Sequence, residues 1–376
     1  MRQPTLSRRS FAASLAAAAG ALAAAPRLAH ASLSKGEAAD LIQLNSNENP
    51  YGPSERALRA MSESQKVAAR YPDALEEEMA EAVAAHHGTS ASRVVLGCGS
   101  AEILRLCDAA FLAPGRSVVA AEPTFESVLG YAGVHGGVPV KLPLDAEFRH
   151  DLPAMARACD QNTALVYVCN PNNPTGTIVA GDALVDFLAR VPASAAVLVD
   201  EAYHHFVEDP AYRSMDSMLD GFPNLIVART FSKVYGMAGM RLGYALCSEA
   251  NARKLREHGF WGNLNSAVLA AGRASLADAE HVKRQRELMN GTRRWLVGEL
   301  RKDGRRIIPS EANFLMIEVG GDVKPIIEAF RERKILVGRR FPALPTWLRI
   351  TVGTRDETAA FLAALRSIVP ARAAAA

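Results

Sequence analysis

Long apolar runs are scarce in this sequence. Beyond the N-terminal region none reaches the roughly eighteen residues a bilayer-spanning helix needs, so no membrane span is expected in the rest of the chain. Paired cysteines are lacking too. Cys98, Cys107, Cys159, Cys169 and Cys247 are odd in number and show no Cys-x-x-Cys spacing. They read as small buried hydrophobes, and a disulfide framework is not indicated. No charge of one sign dominates: 43 lysines and arginines against 40 acids leave a net +3 over 376 residues. Neither a dinucleotide-binding glycine fingerprint nor a Gly-Lys-Ser/Thr phosphate loop is found, so those nucleotide ligands are not supported. What remains is 49% hydrophobic and 22% charged, enough for a large core and two domains.

Even the small positive charge is local. Arg8-Arg9 precedes an alanine-rich stretch over 12–25, and Ala29-His30-Ala31 then offers a small-x-small cleavage site. That order is the order of a twin-arginine export signal over 1–31, which implies a periplasmic destination. The alternative is a basic tail on a cytoplasmic chain. Removing Arg2, Arg8, Arg9 and Arg27 takes the net charge from +3 to −1, so nucleic acid is not expected as a partner.

Residues 32–60 read as an N-terminal arm with a strand-like 41–44 and a turn cluster from Asn45 to Pro53. Short helices are expected over 53–61 and 75–87. From Val94 onward, strands at 94–96, 117–120, 138–142, 165–169, 196–200, 225–228 and 242–246 alternate with helices such as 101–111 and 181–190. This alternation predicts an α/β fold with a mostly parallel sheet flanked by helices, over 61–250. A long helical pattern over 251–300 leads into a smaller α+β domain, 251–376. Its strands are expected at 314–319, 335–337 and 348–352, and its helices at 323–333 and 356–368.

Four polar stretches interrupt this pattern. Thr230-Phe231-Ser232-Lys233 lies between two apolar strands, where burial favours a neutral, nucleophilic lysine suited to Schiff-base chemistry. Taken alone, a Ser-Lys pair reads as an ordinary loop end. Gly97-Cys98-Gly99-Ser100 sits at a strand-to-helix junction, either a tight turn or an anion site made of helix N-terminal amides. Asn170-Pro171-Asn172-Asn173-Pro174 follows a buried strand at the edge where open α/β sheets bind ligands. Asp200 ends another apolar strand, as a helix cap or as the partner of a buried cation.

Taken in order, Gly99-Ser100-x-Glu102, Asn173-Pro174-Thr175-Gly176, Asp200-Glu201-Ala202-Tyr203 and Ser232-Lys233 with Arg241 resemble the fold-type I pyridoxal-phosphate aminotransferases. Asn45-x-Asn47-Glu48-Asn49-Pro50-Tyr51 and Leu348-Arg349-Ile350-Thr351-Val352-Gly353-Thr354 are similar to the histidinol-phosphate aminotransferase branch. The resemblance runs from about residue 41 to 368. It implies pyridoxal 5'-phosphate as cofactor, linked covalently to Lys233, with Asp200 on the pyridine nitrogen and Tyr203 and Asn173 on the phenolic oxygen. It implies a phosphate held by Ser100, Ala101, Thr230, Ser232 and Arg241, and Phe125 on the ring face. Arg349 and Asn47 fall to the substrate, Arg349 as the clamp on its carboxylate. Tyr51 reaches the phosphate of a second subunit, which implies a homodimer.

The implied activity is amino transfer between an amino acid, or a histidinol-phosphate-like amine, and a 2-oxo acid. A decarboxylase or lyase of the same fold is the alternative, and a non-catalytic protein that retains the cofactor is another. Three departures bear on substrate. An exported chain does not match a cytoplasmic biosynthetic role, and the signal occupies the place of a pocket-lining N-terminal segment. Finally, Arg339 and Arg340 leave open which arginine faces a substrate phosphate. Trp261, Phe341 and Trp347 are candidate side-chain pocket residues or core.

Overall fold

A computed structural model describes residues 41–370; the expected signal over 1–31 and the arm residues 32–40 lie outside the described residues. Twelve strands are found in chain order among them. They are β1 (Ile42–Leu44), β2 (Val94–Gly97), β3 (Ser117–Glu122), β4 (Val138–Pro143), β5 (Thr163–Cys169) and β6 (Ala196–Asp200). Then come β7 (Leu225–Thr230), β8 (Gly243–Cys247), β9 (Ile307–Ile308), β10 (Phe314–Glu318), β11 (Ile335–Val337) and β12 (Trp347–Thr351).

Seven of them form one sheet in the order β2-β8-β7-β6-β5-β3-β4. β3 through β7 pair in parallel, and β8 runs antiparallel to both β2 and β7. The central strands are buried on both faces, which explains why β5 and β6 read as unbroken apolar runs. Successive side chains feed two cores: Val166, Val168, Val197 and Val199 on one face, Leu165, Tyr167 and Leu198 on the other.

Register brings the polar stretches to one edge. Cys169 pairs with Asp200 and Asp200 with Ala228, so the chain leaves β5, β6 and β7 side by side. Because β8 is reversed, its first residue Gly243 pairs with Thr230 on one side and with Gly97 on the other. The segments around Ser100, Asn173, Lys233 and Arg241 therefore meet at the edge where parallel strands end.

A second, three-stranded antiparallel sheet, β12-β10-β9, covers its own core of Leu315, Ile317, Phe330, Leu348, Ile350 and Phe361. β1 pairs in parallel with β11, Leu44 opposite Val337, so Ile42–Leu44 is built into this C-terminal part. β9 was not expected: at two residues it carries no periodicity to read. The pattern over 251–300 is three helices, Glu249–Glu257, Ser266–Leu276 and Ala279–Lys302. The first break contains Gly259 and Gly262 (φ +67°), and the side chains of Asn265 and Asp278 cap the next two helices. All five cysteines are free thiols. No helix among the described residues is long and apolar enough to cross a membrane.

Candidate active site

Asp200 sits at the C-terminal end of β6, 3% exposed. Its carboxylate accepts hydrogen bonds from the Tyr167 hydroxyl (3.0 Å) and the Ala202 amide (3.1 Å). Burial pushes its pKa up to about 6, against the pull of those two donors and of Lys233. It forms no ion pair among the described residues. A carboxylate in that position gains most from a protonated nitrogen placed against it.

Lys233 lies in the loop after β7, half-buried. Its Nζ donates to the carbonyl oxygen of Asn47 (2.9 Å) and more weakly to that of Ser46 (3.4 Å), and it lies 5.5 Å from the centre of the Tyr203 ring. Burial lowers its pKa to about 8, and Arg349 adds to the effect while Glu48 and Asp200 oppose it. An appreciable fraction of the amine is therefore neutral near physiological pH, as nucleophilic attack requires. Asn47 has a left-handed backbone (φ 54°) that turns its carbonyl toward the lysine. Asn313 Nδ2 donates to the same carbonyl at 3.0 Å, and the Asn47 amide donates to Thr351 Oγ1 at 2.9 Å.

Tyr203 is the hub between the two sheets. Its hydroxyl accepts from Asn47 Nδ2 (3.1 Å) and Asn173 Nδ2 (3.3 Å), and burial raises its pKa further above the usual phenol range. Asn173 Oδ1 in turn accepts from Arg349 Nη1 at 2.8 Å. Arg349 Nη2 donates to the Asn45 carbonyl at 2.8 Å, while its buried Nε has no partner. The guanidinium is stacked 5.2 Å from Phe341 and 5.7 Å from Phe314. It pairs with no carboxylate among the described residues, and burial lowers its pKa to about 10. Such a cation is set to receive an anion.

The remaining stretch forms a cradle. Gly99 (φ 77°) precedes the helix Ser100–Phe111, whose first amides, those of Ser100 and Ala101, lack carbonyl partners from a preceding turn. The Thr230 hydroxyl donates to Ser232 Oγ (2.9 Å), and Arg241 Nη1 reaches Ser232 Oγ (3.4 Å) and the Ala238 carbonyl (3.0 Å). A side chain at Gly99 would overlap the Arg241 guanidinium, and one at Gly243 would overlap the Ser100 amide. Arg241 makes no carboxylate ion pair among the described residues. Two glycines, helix amides, hydroxyls and an unneutralised arginine together suit a phosphate.

The other expected residues lie as follows. Phe125 is 38% exposed and stacks on no ring among the described residues. Its loop is pinned by Thr124 Oγ1 donating to Asn172 Oδ1 at 2.8 Å. The Tyr51 phenol has Thr292, Glu357 and Asp356 around it, none of them in the cradle. The side chain of Asn47 is engaged with Tyr203 and Thr351. Of the three aromatics, only Phe341 touches the site. Trp261 is 68% exposed beside Tyr71, and Trp347 is buried against Phe148. Arg340 pairs with Asp322 and Arg339 with Glu126. Sequence reasoning missed Tyr167 and Asn313. The signal for Tyr167 was a hydroxyl in the middle of an otherwise apolar stretch of β5, which must find a buried partner.

These residues fit one kind of group: a phosphate at one end, a protonatable ring nitrogen at the other, and an electrophilic carbon within reach of an amine. The class I and II aminotransferase family model matches residues 39–365. The histidinol-phosphate aminotransferase of Moorella thermoacetica is 39% identical over 333 residues, covering 88% of this chain and 86% of that one. That of Caldicellulosiruptor saccharolyticus is 35% identical over 331 residues, covering 88% and 92%. The crystal structure of the Sinorhizobium meliloti histidinol-phosphate aminotransferase in complex with pyridoxal-5'-phosphate superposes with a TM-score of 0.80 at 27% identity, covering 88% of this chain and 90% of that one. The chain belongs to the class I and II aminotransferases. More narrowly, it is a pyridoxal-phosphate-dependent transaminase of fold type I.

Proposed function

We propose that Lys233 is the amine that binds the cofactor covalently and that Asp200 faces its ring nitrogen. Arg349 then receives the acidic group of the substrate, either the carboxylate of an amino acid or the phosphate of a histidinol-phosphate-like amine. The observation that carries this reading is the chain of contacts from Arg349 through Asn173 to Tyr203, with the Lys233 amine over the Tyr203 ring.

Pyridoxal 5'-phosphate, when bound, supplies an aldehyde carbon and a ring that draws electrons from the substrate's Cα. Its phosphate falls to the amides of Ser100 and Ala101, to Thr230, Ser232 and Arg241. Its phenolic oxygen falls to Tyr203 and Asn173, and its ring face to Phe125. Asp200 remains ionised once a cation neutralises it, and Tyr167 and Ala202 hold its oxygens in place. Lys233 Nζ, its pKa lowered to about 8, would accept the proton of Cα once free and deliver it to the cofactor's aldehyde carbon, across the nitrogen between them. Arg349 fixes the substrate so that this hydrogen faces the amine. The acceptor is a 2-oxo acid, and the histidinol phosphate of the relatives' names is one donor to be tried.

The holoenzyme incubated with a panel of amino acids and histidinol phosphate should yield the matching oxo compound from some of them. Carbon dioxide release in its place would overturn the reading.

Two further parts of the reading concern the chain's surroundings. Tyr51 serves the cradle of a second copy, making a homodimer. The exposed Phe260 and the adjoining, mutually tilted rings of Tyr71 and Trp261 (centroids 5.2 Å apart) support a covered surface. Light scattering should give twice the chain mass. The segment 1–31 directs export, and mass spectrometry of periplasmic material should find Ser32 at the N-terminus.

A further inference from the structure

We propose that Glu126 determines substrate specificity: by holding Arg339 it selects substrates with an uncharged, apolar side chain over those carrying a second carboxylate. The inference rests on the reading of Arg349 as the substrate clamp. Glu126 follows Phe125 in the loop after β3, and Arg339 follows β11, so the pair joins the seven-stranded sheet's side to the C-terminal part. Arg339 Nη2 lies 2.7 Å from Glu126 Oε2, and its guanidinium stacks 4.3 Å from the centre of the Phe341 ring.

Beside this bridge is a cavity of about 460 Å³. It adjoins the clamp on two counts. Phe341 lines the cavity and also stacks on Arg349, and Glu126 lines it and is close enough to favour the charged form of Arg349. Pro123, Leu129, Phe341 and Pro342 give the cavity apolar walls. The two carboxylates on it, Glu122 and Glu126, are each matched by a cation, Lys141 at 2.8 Å and Arg339 at 2.7 Å.

The cavity thus sets apolar walls beside two carboxylates whose cations are already engaged, and it offers an acidic side chain no free cation. Worse for such a side chain, Glu126 would stand against it as a like charge. Both members of the Glu126–Arg339 pair are more than half exposed, so the pair adds little to stability. Its effect is on which charge the cavity presents. On this account aromatic and branched aliphatic amino acids are the good donors. Aspartate and glutamate are poor, and the acceptor is a 2-oxo acid with an uncharged side chain, such as phenylpyruvate.

The test uses holoenzyme and two unreactive acids, 3-phenylpropionate and glutarate, titrated through the cofactor's absorbance, with kcat/KM for phenylalanine and glutamate measured alongside. Wild type should bind 3-phenylpropionate at least about tenfold more tightly than glutarate. Glu126→Gln frees Arg339 and should shift that ratio at least about tenfold toward glutarate. Glu126→Asp should keep the wild-type order. Glu126→Gln combined with Arg339→Gln should lose the gain, which a merely structural role for Glu126 would not produce. Equal binding by wild type, or an unchanged ratio in Glu126→Gln, would overturn the proposal. If the binding order holds but no amino acid yields an oxo acid, the transamination reading falls and the specificity assignment stands.

Discussion

Arg229 and Arg349 are both buried arginines on strands, and their surroundings differ completely. Arg229 Nη2 donates to Glu201 (2.9 Å), Asp216 (3.1 Å) and the Ser214 hydroxyl (2.6 Å), and Nε donates to Glu201 again at 3.2 Å. Asp216 also meets His87 at 2.9 Å, and His87 meets the Tyr244 hydroxyl at 2.9 Å. Burial alone would lower the Arg229 pKa, but Glu201 and Asp216 together reverse the sign and raise it. Arg349 donates only to neutral oxygens and lies against ring faces, and burial lowers its pKa. A buried cation already matched by carboxylates holds strands together, here the ends of β6 and β7 just behind Asp200 and Lys233. One left unmatched beside a cleft is kept for a ligand.

The sharpest way to break this contrast is to delete each cation. Arg229→Met leaves Glu201 buried without its cation, while Asp216 keeps His87, and should cost about 3–5 kcal/mol in denaturant unfolding. Adding Glu201→Gln should recover part of that loss. Arg349→Ala should lower kcat/KM for amino donors by about 10²–10³-fold with the melting temperature unchanged or raised. A stability loss like that of Arg229→Met would erase the distinction.

Lys233 extends the comparison to an amine. Covalent capture of pyridoxal phosphate by the apo chain, followed by absorbance, should slow about tenfold per pH unit below about 8 and level off above it. Lys233→Ala should remove the link altogether.

Asp108 is the negative counterpart, unmatched but sealed in the core with both oxygens unpartnered. Burial pushes its pKa up to about 8. The folded chain thus keeps a proton that the unfolded chain gives up near pH 4, so stability is full below that pH and declines as pH rises toward 8. Asp108→Leu should flatten the decline and add on the order of 2 kcal/mol at pH 8, read from melting curves against pH.

What could be read from the sequence follows a physical rule. Asp200, Lys233 and the Ser100 turn stand at the ends of apolar runs, and parallel pairing brings strand ends to one edge whatever the loops between them do. The Glu126–Arg339 bridge and the Asn313 contact to Asn47 join segments more than 200 residues apart, and nothing local announces them. Composition could not separate Trp261 from Trp347 either, since one packs outside and the other in the core. The continuous helical pattern over 251–300 misled because its apolar spacing persists through Gly259 and Gly262, where the backbone turns.

The Asn47 carbonyl, shared by the Lys233 amine and the Asn313 side-chain amide, ties the earliest described stretch of polypeptide to the heart of the enzyme. A protease cut between Asn45 and Asn49 would spare every side chain named for chemistry. It should nonetheless silence turnover as thoroughly as losing the lysine, because the front edge of the chain is itself a working part.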